Sequence, residues 1–331
     1  MGRVTIKQVA EQAGVSTASV SYVLSGRSGS PDGNGGVAKA TAERIREVAG
    51  RLGYSPDRAA RKIRTGRTET ILLSLTMLSD PWALGVIEAV QRRAMPLGIT
   101  PMILADADWA SVLRGHDADA VFIDAASPGK QPELEAFAGQ GKRLVVFQEE
   151  LPAAGFDVIR SLAGPGCVLA VQHLLGKHRE IAILTTERSR NNSDPARFQP
   201  YVDGLAAAGI PLRNDFIATF DHSPASAYAA AMRLLDRADR PTAIYATTDF
   251  AAMSAVNAAQ RLGLRIGTDL DVVGVGNTEE GERMAPSLTS VGPEGFFDAV
   301  AELLVRRAQG DDSPARVIDF PWKIFVRESA P

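Results

Sequence analysis

The sequence predicts a small α-helical head carrying a helix-turn-helix, followed by a larger α/β body of two lobes with parallel sheets. Three observations carry this prediction. Charge is split along the chain: residues 1–68 hold 12 Lys and Arg against 5 Asp and Glu, and the remainder holds 24 against 34. The first 54 residues carry short amphipathic helical patterns. From Thr70 onward, apolar runs of strand length alternate with helical stretches, and the alternation restarts after Val158-Ile159.

A chain of 331 residues has room for two or three domains. The hydrophobic fraction is 45% and the charged fraction 23%, as in soluble globular proteins. The single Cys167 excludes an intramolecular disulfide and a Cys-rich zinc site. His116, His173, His178 and His222 are scattered, with no H-E-x-x-H pair, so no metal is expected. The first residues run straight into an amphipathic pattern with no secretory apolar core. No apolar run reaches the roughly 18 residues of a membrane span. The expectation is a soluble cytoplasmic protein with no membrane contact.

In the head, Thr5 and Gln8 have the spacing of a capping box. Val9, Ala10 and Ala13 then share one face of a short helix, and Gly14 supplies the positive-φ residue that ends it. Ser16 caps a second helix whose apolar stripe is Val20, Val23 and Leu24. Two short helices around a tight glycine turn form a helix-turn-helix. A third helix starts near Lys39, with Ile45, Val48, Ala49 and Leu52 in helical register. The outward residues of helix two, Thr17, Ala18, Ser21 and Tyr22, include no acid, as a face entering a major groove requires. The segment from Ser25 to Gly36 reads as a loop rich in Gly and Ser. Ser55-Pro56 then starts a basic stretch with Arg58, Arg61, Lys62, Arg64 and Arg67. That stretch is too short for a stable isolated helix, so it is expected to order on a template.

In the body, strand candidates are Thr70 to Leu75, Pro101 to Leu104, Ala120 to Ile123, Leu144 to Phe147, Ile181 to Leu184, Phe216 to Ala218, Ala243 to Tyr245 and Val272 to Val275. Helical patterns lie between them, and a last apolar strand is expected around Ile324 to Val326. Parallel strands of this kind place a ligand cleft at their carboxyl ends. Catalysis is not expected. Gly274-Val275-Gly276-Asn277 lacks the third glycine of a dinucleotide fingerprint, and no phosphate loop or nucleophile elbow is present. Asp106, Asp108, Asp117 and Asp119 read as a solvated loop.

The run Thr5-Ile6-x-x-Val9-Ala10-x-x-Ala13-Gly14-Val15-Ser16-x-x-Ser19-Val20-Ser21-x-Val23-Leu24 resembles the headpiece of the LacI/GalR family of bacterial transcription regulators. Thr41-x-x-Arg44-Ile45 and Leu52-Gly53-Tyr54-x-Pro56-x-x-Ala59-Ala60-Arg61-x-Ile63 continue the match. Looser matches follow at Lys177 to Ala182, at Arg197 with Tyr201, at Thr248-Asp249-x-x-Ala252-Met253, at Gly263 to Asp269 and at Ser287 to Val291. The resemblance implies a headpiece over 1–55, a hinge helix over 56–68, and a two-lobed periplasmic-binding-protein-like effector and dimerisation domain over 69–331. It implies a homodimer on a pseudo-palindromic double-stranded DNA operator, contacted by Thr5, Ser16, Thr17, Ala18, Ser21, Tyr22, Arg58, Ala59, Arg61 and Arg64. Ile63, where the family usually has Leu, would be wedged into the minor groove. A small-molecule effector, a carbohydrate or related metabolite, would meet Trp82, Gln148, Arg197, Tyr245, Thr248, Asp249 and Asn277; no cofactor is implied. The chain departs from the family at Pro200, at a longer 25–36 loop, and at Gly276 and Gln148, where ligand-binding acids are usual. Those losses leave a regulator governed by a partner protein, or without effector, as the alternative. A transport solute-binding protein is a weaker one, given the basic head.

Overall fold

The computed structural model of the chain describes residues 4–24, 37–54, 66–76, 78, 81–124, 126–191, 196–221 and 223–331. It forms two compact units, Met1–Thr68 and Glu69–Pro331. In the first, α1 (Ile6–Ala13), α2 (Thr17–Leu24) and α3 (Lys39–Leu52) enclose a core of Val9, Ala10, Ala13, Val20, Val23, Ala42, Ile45, Val48 and Ala49.

The second unit has two lobes. Lobe 1 begins with β1 (Thr70–Leu75), α4 (Pro81–Ala94), β2 (Thr100–Ala105), α5 (Trp109–Gly115), β3 (Ala120–Ile123), α6 (Gln131–Gly139), β4 (Leu144–Phe147) and β5 (Asp157–Ser161). The chain crosses into lobe 2 for α7 (Ala163–Leu175), β6 (Ile181–Thr186), α8 (Glu187–Arg190), α9 (Gln199–Ala207), β7 (Ile217–Phe220) and α10 (Pro224–Leu235). There it continues through β8 (Ala243–Ala246), α11 (Asp249–Arg261), β9 (Asp271–Val275), α12 (Glu279–Arg283) and β10 (Thr289–Pro293). It returns to lobe 1 for α13 (Phe296–Ala308) and β11 (Val317–Phe320), then crosses a third time into β12 (Trp322–Phe325) of lobe 2.

The lobe 1 sheet has the order β11-β5-β4-β3-β1-β2, parallel throughout. The lobe 2 sheet has the order β12-β10-β9-β8-β6-β7. Its one antiparallel pair is β12 with β10, so the expectation of parallel sheets holds except at that edge. Helices cover both faces of each sheet, which is why β1, β3 and β8 are buried at every position.

Some elements differ from the sequence reading. Phe216 ends a short 3₁₀ turn, and the strand begins one residue later, at Ile217. Helix α13 and strand β11 carry no pattern named in the sequence analysis; both belong to lobe 1 although they follow lobe 2 in the chain. Asp119 is no solvated loop residue. It is 8% exposed and accepts a hydrogen bond from the Glu69 amide at 2.8 Å. Glu69 has φ +55° there, so the carboxylate stabilises a sparsely populated backbone conformation just before β1. His178 lies 2.9 Å from both Thr242 Oγ1 and Asp271 Oδ2 and ties together the starts of β8 and β9.

A buried polar link in lobe 1 joins α13 to β5. Arg307 Nε and Nη2 donate to the two oxygens of Asp157 at 2.7 and 2.9 Å, and both side chains are under 8% exposed. Arg307 Nη1 also donates to the carbonyls of Asp311 and Ser313. Removing one partner of such a pair strands a buried charge. Asp157→Ala is therefore expected to lower the unfolding free energy by about 3–5 kcal/mol in urea titrations followed by circular dichroism.

Candidate functional site

The head presents one face built by local capping. Thr5 Oγ1 accepts from the Gln8 amide at 3.4 Å, and Gln8 Oε1 accepts from the Thr5 amide at 2.8 Å. Gly14 has φ +61°, and the Val15 amide donates to Ala10 O across the turn. Ser16 Oγ accepts from the Ser19 amide at 3.1 Å. Val20 and Val23 anchor α2 in the core, which leaves Thr17, Ala18 and Tyr22 on the solvent side. Tyr22 is 51% exposed, a large exposure for an aromatic ring, and Ser21 is half-buried beside it. Thr5 and Ser16, also expected to contact DNA, are exposed, but their hydroxyls also serve as helix caps. Arg58, Ala59, Arg61, Ile63 and Arg64 lie outside the described residues.

In the second unit, all three crossings leave from carboxyl ends of strands: from β5, β10 and β11. The carboxyl edges of the two sheets are therefore where the lobes join. On lobe 1, Trp82 near the start of α4 stacks on Phe147 with ring centroids 5.1 Å apart, and it packs against Phe296 at 5.7 Å. Gln148 follows Phe147. Its Oε1 accepts from the Glu150 amide at 2.8 Å and its Nε2 lies 3.3 Å from Ala126 O.

On lobe 2, Arg197 Nη1 donates to Thr247 O at 2.8 Å, and its guanidinium lies 5.9 Å from the centre of the Trp322 ring. Tyr245 corrects the sequence reading. It is fully buried, stacks on Tyr201, and its hydroxyl donates to Arg197 O at 2.9 Å. Burial pushes its phenol well above the usual range. It supports the Arg197 segment from inside the lobe and does not line a cleft. Asp249 needs the same correction. At 1% exposure it accepts from Ser290 Oγ at 2.5 Å and from the amide and hydroxyl of Thr278 at 2.7 and 2.9 Å. A Cβ at Gly274 would collide with this carboxylate, so glycine there lets β9 pass it. Thr248 caps α11 through the Ala251 amide and is half-buried. Asn277, at φ +50°, accepts from Arg327 Nη2 at 2.8 Å. The residues thus form two groups: Trp82 and Gln148 on lobe 1, and Arg197, Thr248 and Asn277, backed by Tyr245 and Asp249, on lobe 2.

Two residues of this edge escaped the sequence reading. Trp322 carries no local motif; only the third crossing brings it under Arg197. Asp124 follows β3 directly, so the strand-end rule could have found it. Its Oδ2 accepts from Thr76 N at 2.7 Å and Thr76 Oγ1 at 3.1 Å, joining the ends of β1 and β3. Its other oxygen has no protein partner among the described residues. Positions 148 and 276 lack the expected acids, and Asp124 puts a carboxylate on the same edge.

Burial, with a smaller contribution from Asp106, pushes the Asp124 carboxyl up to about 6. A carboxyl whose pKa is higher in the folded chain than in the unfolded one costs stability as pH rises between those two values. That cost is absent below about pH 4 and complete above about pH 6. Asp124→Asn keeps the acceptor for Thr76 and removes the charge. It is expected to raise the melting temperature at pH 8, with the gain shrinking to nothing near pH 4, as read by thermal scans across pH.

Comparison with known proteins agrees with this architecture. The pattern of bacterial regulatory proteins of the lacI family matches residues 5–57, and that of the periplasmic binding protein-like domain matches residues 171–330. The HTH-type transcriptional repressor PurR of Erwinia tasmaniensis is 30% identical over 300 residues, covering 87% of this chain and 84% of that protein. PurR of Yersinia pestis is 30% identical over 339 residues, covering 98% and 96%. Among solved structures, a complex of the transcriptional regulator CelR with cellobiose is 25% identical with a TM-score of 0.62, covering 99% of this chain and 100% of that one. The lac repressor dimer bound to operator and the anti-inducer ONPF has the same fold, at 22% identity and a TM-score of 0.70, with 99% of each chain covered. With a helix-turn-helix head on a two-lobed α/β body, and full-length repressors among its relatives, the chain belongs to the lacI family of DNA-binding bacterial transcription regulators.

Proposed function

We propose that this regulator is a cytoplasmic, homodimeric repressor without catalytic activity, and that a carbohydrate-class effector in the interlobe cleft sets its operator affinity. The observation that carries the DNA-reading part is the exposed, acid-free face of α2. Thr17 and Tyr22 read base edges there, and Ala18 meets a thymine methyl. Ser21, Thr5 and Ser16 flank that face. The basic 56–68 segment, with Arg58, Ala59, Arg61 and Arg64, follows the backbone, and Ile63 is the minor-groove wedge. The 1–55, 56–68 and 69–331 segments are the head, hinge and effector domain.

Dimerisation is supported by lobe 1. Strand β2 is an edge strand with Met102 and Ile103 more than 40% exposed, and Leu84, Met95 and Leu97 are exposed on the adjoining α4 and its 3₁₀ extension. An apolar edge of this kind is normally covered by a partner. For the effector, Trp82 offers an aromatic platform and Arg197, Gln148, Thr248 and Asn277 offer polar contacts. The complex of CelR with cellobiose supports a sugar. The missing acids at 148 and 276 favour an effector-free regulator as the second reading.

Tyr22→Ala is expected to relax discrimination at one base position by about 1–3 kcal/mol, measured by titrating single-base variants of an operator selected from genomic fragments. Unchanged ratios for every variant would remove Tyr22 as a reader. Thermal-shift assays with cellobiose, ribose, glucose 6-phosphate and adenosine test the effector, since ligand at about 100 times its Kd adds about 2.7 kcal/mol of stability. Arg197→Ala is expected to abolish the shift while ligand-free operator affinity stays within a few fold. If none of these compounds shifts melting or operator affinity, the effector-free reading stands. Ile103→Asp is expected to move the sedimenting species from dimer to monomer; a persistent dimer would place the interface elsewhere.

A further inference from the structure

One side chain links the first and third crossings between the lobes, and its backbone pairs with Pro293, the last residue of β10 before the second. Trp322 opens β12 directly after the third crossing, and its indole Nε1 donates to Ser161 Oγ, the last residue of β5 before the first crossing. Its ring occupies the space a side chain at residue 166 of α7 would need. A Cβ on Gly166 would stand 2.6 Å from Trp322 Cβ and 2.8 Å from the ring atom Cδ2. The guanidinium of Arg197 lies over the same ring, with its Nη1 held by Thr247 O. Two residues earlier, Phe320 packs edge-on against Phe296 with centroids 5.2 Å apart, and Phe296 opens α13 just after the second crossing. Phe296 in turn packs on Trp82.

We propose that Trp322 is the pin of the interlobe hinge and a positioning residue for Arg197. It deepens the effector reading above, because it links Arg197 to the lobe angle. The physical basis is that one rigid indole is shared by segments that must turn relative to each other when the lobes move. Its hydrogen bond holds the end of the lobe 1 sheet, while its ring is seated on a helix of lobe 2. A change of lobe angle must break the Ser161 hydrogen bond or unseat the ring from Gly166, so the hinge has discrete settings and does not bend continuously. Arg197, resting on the ring, moves with the pin. A ligand that pulls on Arg197 therefore acts on the hinge directly, which is the differential contact a conformational switch requires.

The test needs no effector. Spin labels on Glu135→Cys in lobe 1 and Asp203→Cys in lobe 2 report the interlobe distance in the full chain, diluted with unlabelled chain; Cys167 is buried and stays unlabelled. The wild type is expected to give one narrow distance. Gly166→Ala, whose methyl meets the ring, and Trp322→Leu, which removes the pin, are each expected to shift or broaden it. Trp322→Phe keeps a ring but loses the donor, and should sit between wild type and Trp322→Leu. In the double variant Gly166→Ala/Trp322→Leu the added methyl no longer meets an indole. The Cβ of residue 322, 2.6 Å from that methyl, remains in leucine, so the change in the double variant should be smaller than the sum of the two single changes, a non-additive outcome specific to the contact. If Gly166→Ala and Trp322→Leu lower only the melting temperature and leave the distance as in wild type, Trp322 merely fills the core and the proposal is overturned. A failed ligand panel would sink the effector reading but leave these distances unaffected, so the two failures are distinguishable.

Discussion

The second unit depends on one topological constraint: the chain passes three times between two sheets that are parallel except at β12, each time from a carboxyl edge. Parallel strands cannot be joined by tight turns, so helices link them and cover both faces. The carboxyl ends of the parallel strands, together with the start of antiparallel β12, then face the other lobe. Cleft and hinge are thereby built from the same residues. Phe296, Phe320 and Trp322 each sit within a residue or two of a crossing, and the first two pack on each other while Trp322 bonds to Ser161 at the remaining one. A side chain that contacts a ligand at this edge is never far from a segment that must turn.

Polar groups inside the lobes follow a stricter rule than those at the edge. Asp157 is met by both nitrogens of the Arg307 fork and by the Arg316 amide. Asp249 receives three donors from Thr278 and Ser290. Buried carboxylates persist because such partners replace water. Asp249 is for that reason no longer available to a ligand, although it lies close to Asn277 in the fold. Asp124 is the contrasting case: one oxygen is anchored on Thr76 and the other has no protein partner among the described residues. Asp124 thus places a carboxylate on the lobe 1 edge, while Arg197 and Arg327 place cations on the lobe 2 edge.

The head was legible almost residue by residue because its structure is local. Capping by Thr5, the left-handed turn at Gly14 and the stripe of Val20 and Val23 are all fixed within a few positions along the chain. The strands of the body were legible for a related reason, since a strand buried on both faces must be apolar at every position. The face of α2 that carries Thr17, Ala18 and Tyr22 follows from helical periodicity alone.

What sequence could not decide was which side chains end up free. Tyr245 and Thr248 are three residues apart, and both matched a ligand-site expectation, yet the fold buries one and leaves the other half-exposed. That outcome depends on the Arg197 carbonyl, 48 residues away. Asp249 looked available until β10 brought Ser290 against it. Trp322 had no neighbours in sequence to suggest a role, because its partners Ser161, Gly166 and Arg197 come from more than 120 residues earlier. Sequence alone determined the helix caps, the apolar strands and the family, since each rests on local spacing. Only the tertiary structure decided which carboxylate is open and which aromatic ring joins the lobes, because burial and hydrogen-bond satisfaction are set by segments far apart in the chain.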